Sequence, residues 1–199
     1  MDRNFIIIDN FLDDPDRVRL DALSLDFDLI QESVPGVRTS SSLVGDLQTE
    51  VETKLKTILG GEIVWDWTQA SFQFQSCQAG TNTWIHVDSP EEDQGEWAGV
   101  LYLTPDACHD SGTAVYLGPN IDHRIDLDGI VKDTSHAPLG DNLPKHLDHS
   151  PIIDMGAGNV YNRLVLYRGK ELYHSSILPG FGDTLETSRL TQTFFFDVK

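Results

Sequence analysis

Cysteine is scarce in this 199-residue chain: Cys77 and Cys108 are the only two, far apart and outside any CxxC pair. That spacing supports neither a disulfide framework nor a zinc ribbon, so two reduced thiols are expected. Long apolar runs are missing too, and nothing approaches the roughly 20 residues of a membrane span. The opening MDRNFIIIDNFLDD has a short apolar stretch soon followed by acids. It lacks the long apolar centre and small-residue cleavage site of a secretory signal. A soluble cytoplasmic protein is the expectation. Basic residues are also few, 14 against 32 acidic ones, for a net charge of -18. A field of that sign repels phosphate backbones and anionic membranes, which disfavours nucleic acid as a partner. A neutral or cationic substrate, small-molecule or peptidyl, fits the global charge better.

What is present is an ordinary globular composition, 39% hydrophobic and 23% charged. The length suits one domain, residues 1–199, able to bury a core without staples. Phe5 to Asp9 reads as a short strand. Asp14 then offers an N-cap and Pro15 a first helical residue, so a helix is expected from about Pro15 to Leu25. Leu47, Val51, Leu55 and Leu59 recur at helical spacing between Gly45 and Gly60-Gly61, which predicts a second helix ending on glycine. The helices thus fall within about residues 15–60.

From about residue 62 to 197 the pattern changes to strands. The candidates are IVWDWTQASFQFQ, NTWIHVD, WAGVLYLT, TAVYLG, RIDLDGIV, NRLVLYR, ELYHSSIL and RLTQTFFFDV. They are rich in β-branched and aromatic residues and are separated by Gly, Pro, Asp and Asn clusters. So many short strands imply a mainly β fold, a sandwich, jelly roll or barrel, with the helices flanking one sheet. The stretch from about Lys132 to Pro151 has no clear period and reads as a long loop suited to a lid or binding role.

Within TWIHVDSP, His86 and Asp88 are two apart, so on a strand both side chains face the same way and reach one ion. His174, in ELYHSSIL, supplies a second imidazole. Two histidines and one carboxylate on one side of a metal leave open positions for other ligands, as in non-haem iron(II) oxygenases. By itself HxD is a common pattern, and a sheet histidine bonded to a nearby aspartate is the plainer reading. In the last strand candidate, period two puts Arg189, Thr191 and Thr193 on one face. Arginine beside a threonine hydroxyl makes a carboxylate receptor, the planar fork donating twice and the hydroxyl once.

The order HxD, Gly112-Thr113, distal His174 and then RxT resembles the iron(II)/2-oxoglutarate-dependent oxygenases, in their prolyl-hydroxylase-like branch. FIIIDNFLDDPDRVRLDAL, WAGVLYLTPDACHDSGTAVYL and NRLVLYRGKELYHSS are similar to the corresponding segments of that family, so the resemblance runs from about Phe5 to Phe196. It implies a double-stranded β-helix, a cupin-like jelly roll. It implies Fe(II) on His86, Asp88 and His174, and the distal carboxylate of 2-oxoglutarate on Arg189 with Thr191 assisting. O2 would be the other co-substrate and hydroxylation the outcome. Two positions depart from prolyl hydroxylases: arginine stands where they usually present lysine, and Cys77 where they often carry a tyrosine.

Lesser substrate candidates are Trp84, on the face of His86 and Asp88, together with Gln73, Gln75, Tyr102 and Asn162. For Trp84 core packing serves equally well, and for the two glutamines a polar outer face does. His136, His146 and His149 read as loop histidines, since no fourth zinc ligand follows at a usual spacing. Rival readings are a cupin-like metal protein that does not use 2-oxoglutarate, a non-catalytic binding module, and a plain β-sandwich with the three ligands far apart.

Overall fold

The structure is a computed structural model that describes residues 4–30, 35–67, 71–81, 83, 85–88, 95–117, 152–178 and 180–199. Trp84, the run RIDLDGIV and the stretch from about Lys132 to Pro151 lie outside these residues.

The chain opens with strand β1 (Phe5–Ile8) and helix α1 (Pro15–Leu23). The Asp14 carboxylate accepts the Arg17 N–H at 3.1 Å, satisfying one of the free donors of the first turn. The helix stops two residues short of the expected Leu25, where the Ser24 N–H turns back to Asp21. Two short strands follow, β2 (Phe27–Leu29) and β3 (Val37–Thr39), neither of which the sequence pattern had suggested. Helix α2 (Asp46–Leu59) ends as expected. Gly60 adopts φ 79° and donates its N–H to the Lys56 carbonyl, a left-handed cap that glycine takes without steric cost.

The expected single strand from Ile63 to Gln75 is two strands, β4 (Ile63–Trp65) and β5 (Phe74–Cys77). Phe72 separates them at φ 65°, a left-handed backbone that ends regular pairing. Its ring is fully buried, edge-on to Trp65 at 4.7 Å and to Phe194 at 5.1 Å. β6 (Trp97–Tyr102), β7 (Thr113–Leu117), β8 (Ile152–Ala157), β9 (Leu164–Arg168), β10 (His174–Ser176) and β11 (Arg189–Val198) complete the described elements. The described residues of NTWIHVD, Thr83 and 85–88, form no regular strand; His86 pairs with His174 in an antiparallel bridge.

The strands form two sheets. The larger runs β1-β9-β6-β11-β5-β3-β2, with β4 also on β11; the smaller runs β10-β7-β8. All the named pairings are antiparallel. β11 is the organising strand, flanked by β6 on one side and by β5 and then β4 on the other. Alternation along it is strict in effect. Leu190, Phe194 and Phe196 face outward into a core shared with Val18 and Ala22 of α1 and Val51 and Leu55 of α2. Each such fully buried side chain stabilises by about 1.5–3 kcal/mol. Arg189, Thr191 and Phe195 face the other way, toward the smaller sheet, alongside Ala98, Tyr102, Val165 and Tyr167. The molecule is mainly β with flanking helices, a jelly roll whose inner layer is far more polar than its outer one.

Two hydrogen bonds tie the sheets across that inner layer. Arg189 Nε donates to the Ser111 carbonyl at 2.9 Å, and the Tyr102 hydroxyl donates to Thr113 Oγ1 at 2.7 Å.

Candidate metal centre

The His86–His174 bridge sets the site. The two residues exchange backbone hydrogen bonds of 3.1 and 2.8 Å, so their rings emerge side by side with centroids 4.4 Å apart. Two residues on, the Asp88 N–H donates to the Gly169 carbonyl at 2.9 Å, which clips the HxD segment to the turn after β9. One ligand atom from each of His86, Asp88 and His174 lies within 4.8 Å of the others. Asp88 Oδ1 is 3.8 Å from His86 Nε2 and 3.6 Å from His174 Nε2. The His174 side chain is buried, and the other two are partly shielded.

Protonation suits a cation. His174 Nδ1 lies 2.8 Å from the Leu172 carbonyl. A carbonyl only accepts, so Nδ1 carries the proton in the neutral ring and the Nε2 lone pair is left facing Asp88. Burial pushes the Asp88 carboxyl up, but with no ion bound the charged forms of His174 and His86, together with Arg38, outweigh it and hold it below its ordinary value. A carboxylate and imidazole lone pairs converging on one point make a set of hard and borderline donors that fits a divalent first-row metal. Gly169 leaves the room this needs: a Cβ there would stand 1.9 Å from Asp88 Oδ2.

The inner layer also holds a buried cation. Arg189 is almost wholly buried, its Nε anchored on Ser111 and its guanidinium carbon 5.5 Å from the centre of the Tyr102 ring. Thr191 Oγ1 is buried and has no hydrogen-bond partner. A buried hydroxyl left unpaired costs about 1–3 kcal/mol, a debt that a bound acceptor removes. Gln75 and Cys77 share this face through their pairing with Thr191 and Arg189. Burial pushes the Cys77 thiol up, with Arg189 and Arg38 pulling the other way. Tyr102 is pushed up as well, by burial first, so its hydroxyl stays protonated.

The remaining candidates fall differently. Gln75 is buried on the inner face but its amide donates to the Pro35 carbonyl. Gln73 lies just outside β5, half-buried, and its carbonyl accepts the Thr193 N–H at 3.0 Å. Asn162 is engaged elsewhere. Its side chain exchanges two hydrogen bonds with the backbone of Leu12, at 2.8 and 2.9 Å, and its backbone sits at φ 60°. It ties the segment before α1 to the end of β6 and is a structural residue, not a pocket residue.

Sequence reasoning missed Arg38. This arginine is paired with Gln75 across β3 and β5, and its Nε is buried without a hydrogen-bond partner. Burial pushes its guanidinium down, while Cys77, Asp88 and Tyr167 pull it up. A three-residue strand has no readable period. The one signal was VRT standing directly after the turn residues Pro35-Gly36.

No protein-family model matches the sequence, and no curated protein matches it significantly. Solved structures do match. A prolyl hydroxylase from Trichoplax adhaerens, in complex with a hypoxia-inducible-factor peptide fragment, has a TM-score of 0.53 at 13% identity, covering 98% of this chain and 84% of its own. A Pseudomonas putida prolyl-4-hydroxylase gives 0.50 at 17% identity, covering 98% and 93%. HygX from Streptomyces hygroscopicus, with nickel, 2-oxoglutarate and hygromycin B bound, gives 0.56 at 10% identity, covering 97% and 81%. At these identities the likeness is one of architecture, and it establishes that the chain has the jelly-roll fold of the prolyl hydroxylases and other 2-oxoglutarate-binding oxygenases.

Proposed function

We propose that this protein is an iron(II)- and 2-oxoglutarate-dependent dioxygenase that hydroxylates a small-molecule or peptidyl substrate. The observation that carries this reading is the convergence of His86, Asp88 and His174, together with an inward-facing arginine and an unpaired threonine hydroxyl on the same inner layer. Metal ligands alone would suit many cupin-like proteins. The buried Arg189–Thr191 pair adds a receptor for a carboxylate on the same inner layer. Prolyl hydroxylases and HygX share the fold, and HygX has been solved with nickel and 2-oxoglutarate bound.

His86, Asp88 and His174 would hold the metal, and Arg189 with Thr191 the distal carboxylate of 2-oxoglutarate. Bound there, iron(II) with 2-oxoglutarate and O2 supplies oxidative decarboxylation to succinate and carbon dioxide, together with oxidation of a substrate C–H bond.

The chain's own contribution is orientation and exclusion of water. The Leu172 carbonyl keeps the His174 proton on Nδ1 and the ring fixed. The Asp88 carboxylate stays anionic without help from solvent. The Ser111 carbonyl anchors the Arg189 fork before any ligand arrives, so little side-chain entropy is lost when the carboxylate docks. Tyr167, packed on the His174 ring at 4.4 Å, closes the apolar side of the site.

The test is calorimetric. Zinc-loaded protein is titrated with 2-oxoglutarate, and iron(II)-loaded protein is assayed for succinate. Wild type binds 2-oxoglutarate and releases succinate. Arg189→Ala keeps zinc but loses about 2 kcal/mol or more of 2-oxoglutarate affinity, roughly thirtyfold, the cost of truncating a buried charge pair. Zinc binding without 2-oxoglutarate binding would favour a cupin-like metal protein, and 2-oxoglutarate binding without succinate a non-catalytic module.

A further inference from the structure

Among the described residues, Arg38 is the charged group of the inner layer that the metal and 2-oxoglutarate leave unused. It stands two strands from β11 on the larger sheet, in the row Arg38, Gln75, Thr191, Tyr102 that runs across the inner face. Its Nε has no acceptor, and the groups it feels are Cys77, Asp88 and Tyr167, all of this site. Of the described side chains around this site, Arg38 and Arg189 are basic and Asp88 is acidic.

Charge counting then has a consequence, on the reading that a divalent metal and 2-oxoglutarate occupy the site. The metal brings two positive charges and 2-oxoglutarate two negative ones. These cancel, Asp88 answers one arginine, and among the described residues one positive charge remains. Arg38 is half-buried as a whole, but its Nε is closed off from solvent without an acceptor, and a guanidinium so placed calls for an anionic partner. Arginine in particular matches the planar, two-oxygen geometry of a carboxylate.

We propose that Arg38 receives a carboxylate of the substrate, so that the substrate is an acid and not the neutral or cationic molecule that the net charge of the chain suggested. The two statements act over different ranges. Surface charge is screened beyond about 8 Å at physiological salt, whereas a buried pair is not. Global acidity therefore governs the encounter, and Arg38 governs the bound state.

The experiment uses zinc-loaded protein saturated with 2-oxoglutarate, with acetate and its neutral isostere acetamide as probes read by saturation-transfer NMR. Arg38→Gln and the charge-retaining Arg38→Lys are compared with wild type, and zinc affinity reports that each variant is folded. Wild type binds acetate and not acetamide. Arg38→Gln weakens acetate at least tenfold while its 2-oxoglutarate affinity changes less than threefold, and Arg38→Lys retains part of the acetate binding. The proposal is overturned if wild type does not bind acetate, if acetamide binds equally, or if Arg38→Gln binds acetate like wild type. It is also overturned if Arg38→Gln loses 2-oxoglutarate instead, which would make Arg38 part of the co-substrate site. A wild-type protein that takes zinc but no 2-oxoglutarate would mark failure of the underlying functional reading, a separate result.

Discussion

Asp88 and Gly169 are fitted to each other: the Asp88 N–H donates to the Gly169 carbonyl at 2.9 Å, and its Oδ2 occupies space that any side chain at 169 would claim. Gly169→Ala would put a Cβ 1.9 Å from that oxygen and 3.1 Å from the Ala98 Cβ. The carboxylate is the softer of these neighbours and moves. Zinc affinity should fall at least tenfold, with circular dichroism and thermal midpoint of the metal-free protein nearly unchanged. A variant that binds zinc as tightly as wild type would show that Asp88 does not need that space.

Metal loading should stabilise the fold, because a preformed site binds the native state and not the unfolded chain. At a free zinc concentration a hundred times the dissociation constant the gain is about 2.7 kcal/mol. For a chain of this size that corresponds to a rise in Tm of about 5–10 °C. Differential scanning calorimetry with and without a chelator measures it. His174→Ala should abolish the rise. A zinc-dependent rise that survives in this variant would place the ion elsewhere.

Asp88 also gives the metal-free protein a pH signature. Its folded-state pKa lies below that of the unfolded chain, near 4 for a free carboxylate. A depressed carboxylate contributes stability that is fully present above the unfolded value and is lost as pH falls through the folded one. Wild type should therefore lose stability more steeply below about pH 4 than Asp88→Asn, measured by urea unfolding across the acid range with chelator present. Parallel curves would mean that the carboxylate is not held in the anionic form.

Asn162 separates structural from functional effects. Asn162→Ala removes two buried hydrogen bonds to Leu12 and places alanine at φ 60°, for a loss of about 2 kcal/mol or more. Asn162→Gly relieves the backbone but not the lost bonds, so it should be the milder of the two. Neither should alter zinc affinity at temperatures where the protein is folded. A selective loss of zinc binding would return Asn162 to the site.

Legibility in the sequence followed the length of the pattern. α2 and β11 run for 14 and 10 residues, enough turns or alternations to show their period, and both lie close to where the sequence puts them. The inward face of Arg189 and Thr191 follows from that alternation alone. Short elements were opaque. β2 and β3 have three residues each, so Arg38 carried no periodic mark. The break between β4 and β5 depends on Phe72 accepting a left-handed backbone in exchange for burying its ring among Trp65 and Phe194, a tertiary bargain invisible locally. His86 and Asp88 were paired by assuming a regular strand. The structure brings their ligand atoms together through a single bridge and the Gly169 clip instead. Asn162 shows the opposite limit, since a buried asparagine reads alike whether it binds a ligand or a loop.

β11 carries one further implication. The same ten residues present an apolar side to the helices and a cationic side to the interior, alternating one by one. Sliding this strand by a single position would thrust the Arg189 guanidinium into the apolar layer against the helices. Correct assembly and the inward placement of Arg189 and Thr191 are thus set by one ladder of hydrogen bonds.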